Sequence, residues 1–255
     1  MKIALMDSGI GLLAAAAALR TLRPDADLVL SSNPASMPWG PLTAEEVTEL
    51  ALGCARAAAV HRPDALIVAC NTASVHALAA LRAELEPALP VIGTVPAIKP
   101  AAALGGPVAI WATPATTGSP YQRGLIRDFA GTAAVTEVAC PGLADAVEHG
   151  DEAAIDAAVA DAAARTPAGT AAVVLGCTHY ELVAERIRAA VAPSALPSLT
   201  LHGSAGAVAA QALRRVAAPA REGTGTLTVL HAGHPAALPP TALAYPQALP
   251  FTAPA

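Results

Sequence analysis

The sequence predicts an α/β fold with mostly parallel sheets, and three observations lead to that prediction. Short apolar runs alternate with longer alanine-rich segments, the order expected when each strand is followed by a helix. Most of the runs are continuously apolar, as in strands that are buried on both faces. Several end in small or polar residues and a turn, which is typical of the carboxyl edge of an open α/β sheet.

Nine apolar runs are predicted to be strands. In chain order they read KIALMD, ADLVLSS, ALIVAC, PVIGT, PVAIWAT, TEVAC, AAVVLGC, SLTLHG and LTVLHAG. The last of them lies between Gly223 and Gly233. From about residue 234 the chain is rich in proline and alanine. We therefore expect an irregular or loosely docked tail there.

Two of the segments between the runs carry clear helical signals. LTAEEVTELALGCARAAAVH begins with Thr43 and has Glu46 three residues later, the pattern of a capping box. EAAIDAAVADAAAR has apolar residues at helical spacing. Both segments are predicted to be helices.

Composition excludes several classes of protein. With 255 residues the chain can form one large domain or two small ones around a real core. Its apolar content comes largely from alanine, and the longest such segment, GIGLLAAAAALR, reaches Arg20 too soon to span a membrane. The N-terminus does not resemble a signal peptide, so we expect a cytoplasmic protein. The net charge of −5 and the absence of a Lys/Arg cluster argue against nucleic acid as a partner.

The four cysteines do not form a metal site or a disulfide framework in this sequence. No CxxC pair is present, and only Cys177 and His179 lie close together. A zinc site needs three or four clustered ligands. A disulfide framework is not expected in a chain of this size without a secretion signal. The prediction is therefore no metal.

Two segments around cysteines are alike. DALIVACNTASVHAL and AAVVLGCTHYELVA each have an apolar strand, a small residue, a cysteine, a short polar pair and then a helix. They lie roughly a hundred residues apart, about the size of a small α/β domain. This similarity suggests two related halves of the chain, each with one cysteine, Cys70 or Cys177, at a strand end. We interpret Cys54 and Cys140 as inert core residues.

Two kinds of chemistry use a thiol at such a position, where backbone N–H groups of the next helix favour the thiolate. One is nucleophilic catalysis by a Cys–His pair, as in a hydrolase or acyltransferase. However, His179 is two residues from Cys177, a spacing that does not face on a helix, and Cys70 would have no role. The other is proton transfer by one thiol on each side of a substrate carbon, which accounts for both cysteines.

At these residues the sequence resembles the glutamate racemases of the cofactor-independent aspartate/glutamate racemase superfamily. The similar segments appear in the family's order over roughly residues 3 to 215. They are DSGIG, PWG, CNTAS, VIGTVPAIKPA, ATPATTGSPY, CPGLADAVEHG and LGCTHY. The combination of CNTA and GCTHY is specific to this family, whereas either motif alone is weak.

The resemblance implies two pseudo-symmetric α/β domains with the active site in the cleft between them. Residues 1–95 and 207–255 would form the first domain and residues 96–206 the second. It further implies racemisation of L- and D-glutamate without a cofactor, which supplies D-glutamate for peptidoglycan and hence for cell-wall biogenesis and cell shape. A homodimer and a small-molecule amino-acid substrate are also implied.

The family's functional residues carry over to specific positions. By the resemblance, Cys70 takes the α-proton from the D-isomer and Cys177 from the L-isomer, with Asp7, His179 and Glu148 as acid–base helpers. Substrate contacts would come from Asp7, Ser8, Trp39, Gly40, Asn71, Thr72, Thr113, Thr116, Thr178 and His179. Three of these have plainer interpretations: Asp7 and His179 as helix caps, and Glu148 as a solvated charge at a helix end.

Some positions depart from the family pattern DSGxGG and GDTARxPYGPR. Leu12 replaces a glycine, Trp39 replaces a tyrosine, and SNPAS has Asn33 and Ser36 where the family has charges. Leu42 replaces an arginine. A later turn of Asp-Ser-Gly type reads GSA at 203–205. These departures leave open a racemase of another amino acid such as aspartate, or a binding protein that kept the fold and lost turnover.

Overall fold

The computed structural model describes residues 1–217, 219–220 and 222–252. The chain divides into two compact units. The first unit comprises Met1–Val95 and Ala205–Ala255, and the second comprises Pro96–Ser204. The first unit is therefore built from two separate stretches of chain, whereas the second is continuous.

In the described part of the first unit, a six-stranded sheet has the order β10-β9-β2-β1-β3-β4. Its strands are β1 (Lys2–Asp7), β2 (Asp27–Ser32), β3 (Ala65–Val68), β4 (Val91–Gly93), β9 (Leu227–His231) and β10 (His234–Ala236). Neighbouring strands are parallel, except that β10 runs antiparallel to β9. The residues of β3 are all buried, as expected for a continuously apolar strand inside a parallel sheet.

Helices surround this sheet. They are α1 (Leu13–Leu22), α2 (Ala44–Ala59), α3 (Asn71–His76), α4 (Leu78–Leu85), α10 (Ala205–Val216) and α11 (Pro240–Leu243), with 3₁₀ turns at Ile10–Leu12, Pro34–Ser36 and Pro246–Phe251. The capping box predicted for α2 is confirmed, since Thr43 and Glu46 exchange side-chain and backbone hydrogen bonds. This closes the first turn and fixes where α2 begins.

The second unit has a parallel four-stranded sheet of order β6-β5-β7-β8. Its elements are β5 (Val108–Ala112), β6 (Val135–Ala139), β7 (Ala172–Leu175), β8 (Thr200–His202), α5 (Ile98–Ala103), α6 (Pro120–Phe129), α7 (Leu143–His149), α8 (Glu152–Ala164), α9 (Ala184–Val191) and a 3₁₀ turn at Thr178–Val183. The predicted helix at EAAIDAAVADAAAR is confirmed as α8.

The two sheets share one topology. Strands β2-β1-β3-β4 of the first unit and β6-β5-β7-β8 of the second follow each other in the same spatial order and in the same order along the chain. Each of the nine apolar runs predicted from the sequence forms a strand, β1 to β9, so the α/β fold with mostly parallel sheets is confirmed. The cysteine motifs follow the equivalent strands, β3 and β7.

The C-terminal segment differs from the expectation of an irregular, loosely docked tail. It contains β10 and α11, and its 3₁₀ turn at Pro246–Phe251 packs against α1. Ala242 and Ala248 are completely buried, and the guanidinium of Arg20 lies 5.8 Å from the ring of Phe251. Small side chains allow this segment to approach the unit closely, which apolar periodicity does not reveal. Residues 253–255 of the expected tail lie outside the described residues.

Within the described residues, no helix combines the length and the apolar composition needed to cross a bilayer.

Candidate active site

Each sheet has a topological switch point between its first strand in the chain and the strand that precedes a cysteine. In the first unit the chain passes from β1 to β2 on one side and then to β3 on the other side of β1. Ligands of open α/β sheets bind at the carboxyl ends of strands at such a point. Asp7 is the last residue of β1 and Cys70 follows β3, so both lie there. The equivalent point of the second unit lies after β5 and β7, at Thr113 and Cys177.

The turn after β1 is organised around a buried carboxylate. Asp7 is completely buried, and its Oδ1 accepts hydrogen bonds from the backbone N–H of Ser8 (2.6 Å) and from the Ser8 hydroxyl (3.2 Å). The 3₁₀ turn Ile10–Leu12 follows after Gly9. The sequence therefore places a buried carboxylate at the carboxyl end of β1, where ligands of such sheets bind.

The turn after β3 presents a thiol and an amide. Cys70 is 6% exposed, has extended backbone angles (φ −143°, ψ 122°) and does not use its side chain to cap α3. Asn71 is also 6% exposed, and neither Oδ1 nor Nδ2 of its side chain has a hydrogen-bond partner among the described residues. Leaving a buried amide unpaired is costly, so this group is well suited to bind a ligand. Thr72 is half-buried beside it.

Trp39 lies in the core of the first unit, as expected for a ring that packs. It is 2% exposed, and its indole N–H donates to the hydroxyl of Ser36 at 2.8 Å. That hydroxyl in turn donates to the carbonyl of Asn33 at 2.8 Å. Two departures from the family pattern, Ser36 and Trp39, are thus bonded to each other. Gly40 follows and is partly buried.

In the second unit, three side chains form a chain of contacts that ends at a thiol. The Nδ1 of His179 lies 3.9 Å from the Sγ of Cys177, and its Nε2 lies 2.9 Å from Oε2 of Glu148 on α7. His179 is 2% and Glu148 is 8% exposed. Two expectations from spacing are therefore wrong: Glu148 is not a solvated charge, and His179 does face Cys177.

The local backbone explains why the spacing argument failed for Cys177 and His179. Cys177 has extended angles (φ −139°, ψ 138°) and precedes a 3₁₀ turn, not an α-helix. The rule that residues two apart do not face each other applies within an α-helix, and Cys177 lies outside one. A buried carboxylate that accepts from Nε2 leaves Nδ1 as the acceptor that faces the thiol.

The threonine-rich turn after β5 gathers hydroxyl groups. The hydroxyls of Thr113 and Thr116 lie 3.2 Å apart, and the carbonyl of Thr113 accepts from the backbone N–H of Thr116 at 3.0 Å. Thr116 is buried and Thr113 is partly buried. Thr178, after β7, is 5% exposed. Hydroxyls and backbone N–H groups at strand ends suit a carboxylate ligand.

Glu181 is a residue of this region that the motifs did not indicate; it is partly buried and accepts hydrogen bonds from the backbone N–H and the hydroxyl of Ser204. A signal was available, because Glu181 lies four residues after Cys177. Among the described residues no group of three or more Cys, His, Asp or Glu side chains is placed to hold a metal ion.

The other two cysteines are buried and poorly ionised. Burial, assisted by the negative charge of Asp7, raises the pKa of the Cys54 thiol to about 12. Burial likewise raises the pKa of the Cys140 thiol to about 12, and Cys140 is 1% exposed. At neutral pH both are therefore neutral thiols, as expected for inert core residues.

We predict that iodoacetamide at pH 8 labels Cys177 and leaves Cys54 and Cys140 unlabelled in the folded protein. Only thiolates are alkylated readily, and Cys177 is the partly exposed one of these three. Peptide mass spectrometry measures the labelling, and the unfolded protein, in which all cysteines react, is the control. Labelling of Cys140 as fast as Cys177 would contradict the prediction.

The fold and the two turns define a class of protein: an α/β protein with two units of like topology, each with a cysteine at its switch point. Comparison with known families agrees with this class. The chain belongs to the Asp/Glu/Hydantoin racemase family, whose model matches residues 12–221.

Individual relatives are similar over most of their length. A glutamate racemase of Roseiflexus sp. is 39% identical over 195 residues, 73% of this chain and 70% of that protein. A glutamate racemase of Herpetosiphon aurantiacus is 34% identical over 244 residues, 92% and 93% of the two chains. The crystal structure of Escherichia coli glutamate racemase matches with a TM-score of 0.78 at 27% identity, covering 98% of this chain and 93% of that one.

Proposed function

We propose that this protein interconverts L-glutamate and D-glutamate by proton transfer at Cα between two thiols. The observation that carries the proposal is the matched construction of the two cysteine turns. Each follows the equivalent strand of the same topology, β3 or β7. A buried acid lies at the end of the strand next to β3, Asp7, and a buried Glu148–His179 pair faces Cys177. Two equivalent bases suit a reaction that inverts a stereocentre.

The proposed reaction has two proton transfers. The thiolate of Cys70 removes the Cα proton of D-glutamate, and the electron pair of the C–H bond remains on the substrate carbon. The thiol of Cys177 then gives its proton to the opposite face, which yields L-glutamate and leaves a thiolate at Cys177. The reverse reaction begins at Cys177. The protons balance without a redox step, so we propose that neither cofactor nor metal is required.

The helpers around each thiol keep the roles proposed from the sequence. Asp7, at the strand end next to that of Cys70, assists this thiol or binds the substrate ammonium. His179, with Nδ1 facing Cys177 and Nε2 held by Glu148, moves the proton of the second thiol. A buried carboxylate that orients a histidine in this way also stabilises the protonated ring.

We assign the substrate contacts to the two turns of each unit. In the first unit they are Asp7, Ser8, Trp39, Gly40, Asn71 and Thr72. In the second unit they are Thr113, Thr116, Thr178 and His179. The unpaired Asn71 amide supports the assignment, because a glutamate carboxylate or ammonium would supply the missing partners. The Escherichia coli relative forms a complex with L-glutamate.

The wider setting is proposed on the same basis. We propose that the two compact units are the two domains implied by the resemblance; the chain returns to the first unit at residues 204 and 205, two residues earlier than expected. We further propose that the protein is a homodimer in the cytoplasm, where reducing conditions keep both thiols free, and that its D-glutamate enters peptidoglycan.

Isotope exchange in D₂O tests the proposed reaction. Incubation of the wild-type protein with L-glutamate should introduce one deuterium at Cα as optical activity is lost, because the returning proton comes from a thiol that exchanges with solvent. Mass spectrometry and circular dichroism follow the two signals. If neither enantiomer exchanges or inverts, the proposal of glutamate as substrate is wrong.

A second candidate is racemisation of a different acidic amino acid such as aspartate. The observation that favours it is the Ser36–Trp39 bond, which occupies a segment where the family pattern has charges. A panel of amino acids assayed by circular dichroism separates the two candidates. A larger kcat/KM for aspartate than for glutamate would favour the second.

A further inference from the structure

The turn at Gly203, Ser204 and Ala205 lacks the aspartate that the Asp-Ser-Gly pattern has at its first position. The carboxylate of Glu181 supplies the missing acceptor. Its Oε1 accepts from the backbone N–H of Ser204 at 2.7 Å and from the Ser204 hydroxyl at 2.8 Å. Ser204 is 3% exposed, so these charge-assisted bonds are shielded from water.

The intact Asp-Ser-Gly turn at residues 7–9 shows what the missing aspartate would do. There one carboxylate oxygen of Asp7 accepts from both the backbone N–H and the hydroxyl of the next residue, Ser8. Glu181 makes the same pair of bonds to Ser204 from a different part of the chain. A Cβ at position 203 would overlap the Glu181 carboxylate, so a side chain at 203 and this position of the carboxylate exclude each other.

The position of Glu181 relates these bonds to the thiol. Glu181 lies in the 3₁₀ turn Thr178–Val183, four residues after Cys177. In the first unit, Ser74 lies four residues after Cys70, and its hydroxyl accepts from the backbone N–H of Thr94 at 2.9 Å. Thr94 and Ser204 each lie within two residues of a point where the chain passes from one unit to the other.

We propose that Glu181 is a positioning residue that replaces the absent aspartate. It binds the turn after Cys177 to Ser204, where the chain passes from the second unit back to the first. Ser74 binds the turn after Cys70 to Thr94, near the point where the chain leaves the first unit, in the same way. The consequence is that the backbone carrying Cys177 and His179 is fixed at its far end by Ser204. The inference rests on the proposed function only in the racemisation assay, and the labelling assay below does not depend on it.

The proposal is tested by moving the carboxylate from residue 181 to residue 203. Glu181→Ala should lower kcat for racemisation about 10- to 100-fold, with KM changed less than about threefold, because a misplaced catalytic group impairs the chemical step. Glu181→Gln, which keeps an acceptor oxygen, should retain most of the activity. Adding Gly203→Asp to Glu181→Ala should restore kcat to within about fivefold of wild type. Glu185→Ala, an exposed glutamate on α9, is the matched control.

A second readout does not depend on the reaction. The rate of iodoacetamide labelling at Cys177 should rise at least about threefold in Glu181→Ala, because a loosened turn exposes the thiol more, and should return in the double variant while the rate at Cys70 stays constant. Unchanged kcat and an unchanged labelling rate at Cys177 in Glu181→Ala would overturn the proposal, as would a lowered melting temperature with no other effect. A wild type that does not racemise glutamate refutes the proposed function alone, because the labelling rates still decide the role of Glu181.

Discussion

Replacing either Cys70 or Cys177 with serine should lower the rate of glutamate racemisation about 10³-fold, the scale of one acid–base group. A serine hydroxyl is too weak an acid and its alkoxide is too scarce to replace a thiol at neutral pH. Because the equilibrium between enantiomers is fixed, kcat/KM should fall by the same factor in both directions. Polarimetry from each pure enantiomer measures both.

The two variants should differ in isotope exchange. With Cys177 replaced, Cys70 still removes the proton of D-glutamate and returns a deuteron to the same face, so D-glutamate exchanges without inversion. With Cys70 replaced, only L-glutamate should behave in this way. Cys140→Ser is the matched control, since Cys140 has no proton-transfer role in the proposed reaction and a hydroxyl can keep the 3.5 Å contact to the carbonyl of Val138. Normal racemisation by either serine variant would contradict the two-thiol mechanism.

Glu148→Gln is expected to lower kcat about 10²-fold while KM stays within about threefold of wild type. The carboxylate of Glu148, 2.9 Å from Nε2 of His179, fixes the proton on that nitrogen and leaves Nδ1 toward Cys177. A neutral amide presents a donor as well as an acceptor, so the tautomer is no longer fixed and a protonated ring loses its counter-charge. Steady-state kinetics in both directions provides the measurement.

Asp145→Asn is the control for Glu148→Gln. It makes the same change of charge on the same helix, α7, but at an exposed side chain that contacts only the exposed His149 among the described side-chain contacts. Its kcat should match wild type. An equal loss of kcat in both variants would indicate a general effect of charge on α7 and contradict a specific role for Glu148.

Most of the fold followed from the sequence because the strands are buried on both faces. A strand such as AVVL, buried at every position, must be apolar throughout, so its pattern is visible without any knowledge of its neighbours. The capping box at Thr43 was equally local. The two similar cysteine segments also predicted two related halves, and in the structure both cysteines follow equivalent strands of sheets with one topology.

The features that the sequence did not reveal depend on contacts between distant residues. Glu148 looks like an end-of-helix charge until β7 brings His179 against it, 31 positions along the chain. The bond between Trp39 and Ser36 depends on a loop without periodicity. The C-terminal segment packs through alanines and Tyr245. A mixture of alanine and proline has no helical or strand periodicity, so its burial cannot be predicted from the sequence pattern.

The division of the first unit between two stretches of chain sets an order for folding on the ribosome. Residues 96–204 form a continuous unit, and this unit can close as soon as it has emerged. The first unit must wait, because β9 pairs with β2, and residues 227–231 are synthesised about two hundred residues after β2. Until then the outer edge of β2 has unpaired backbone groups, a template for association with other chains. The nascent protein is therefore most prone to aggregate after β2 has emerged and before β9 has done so.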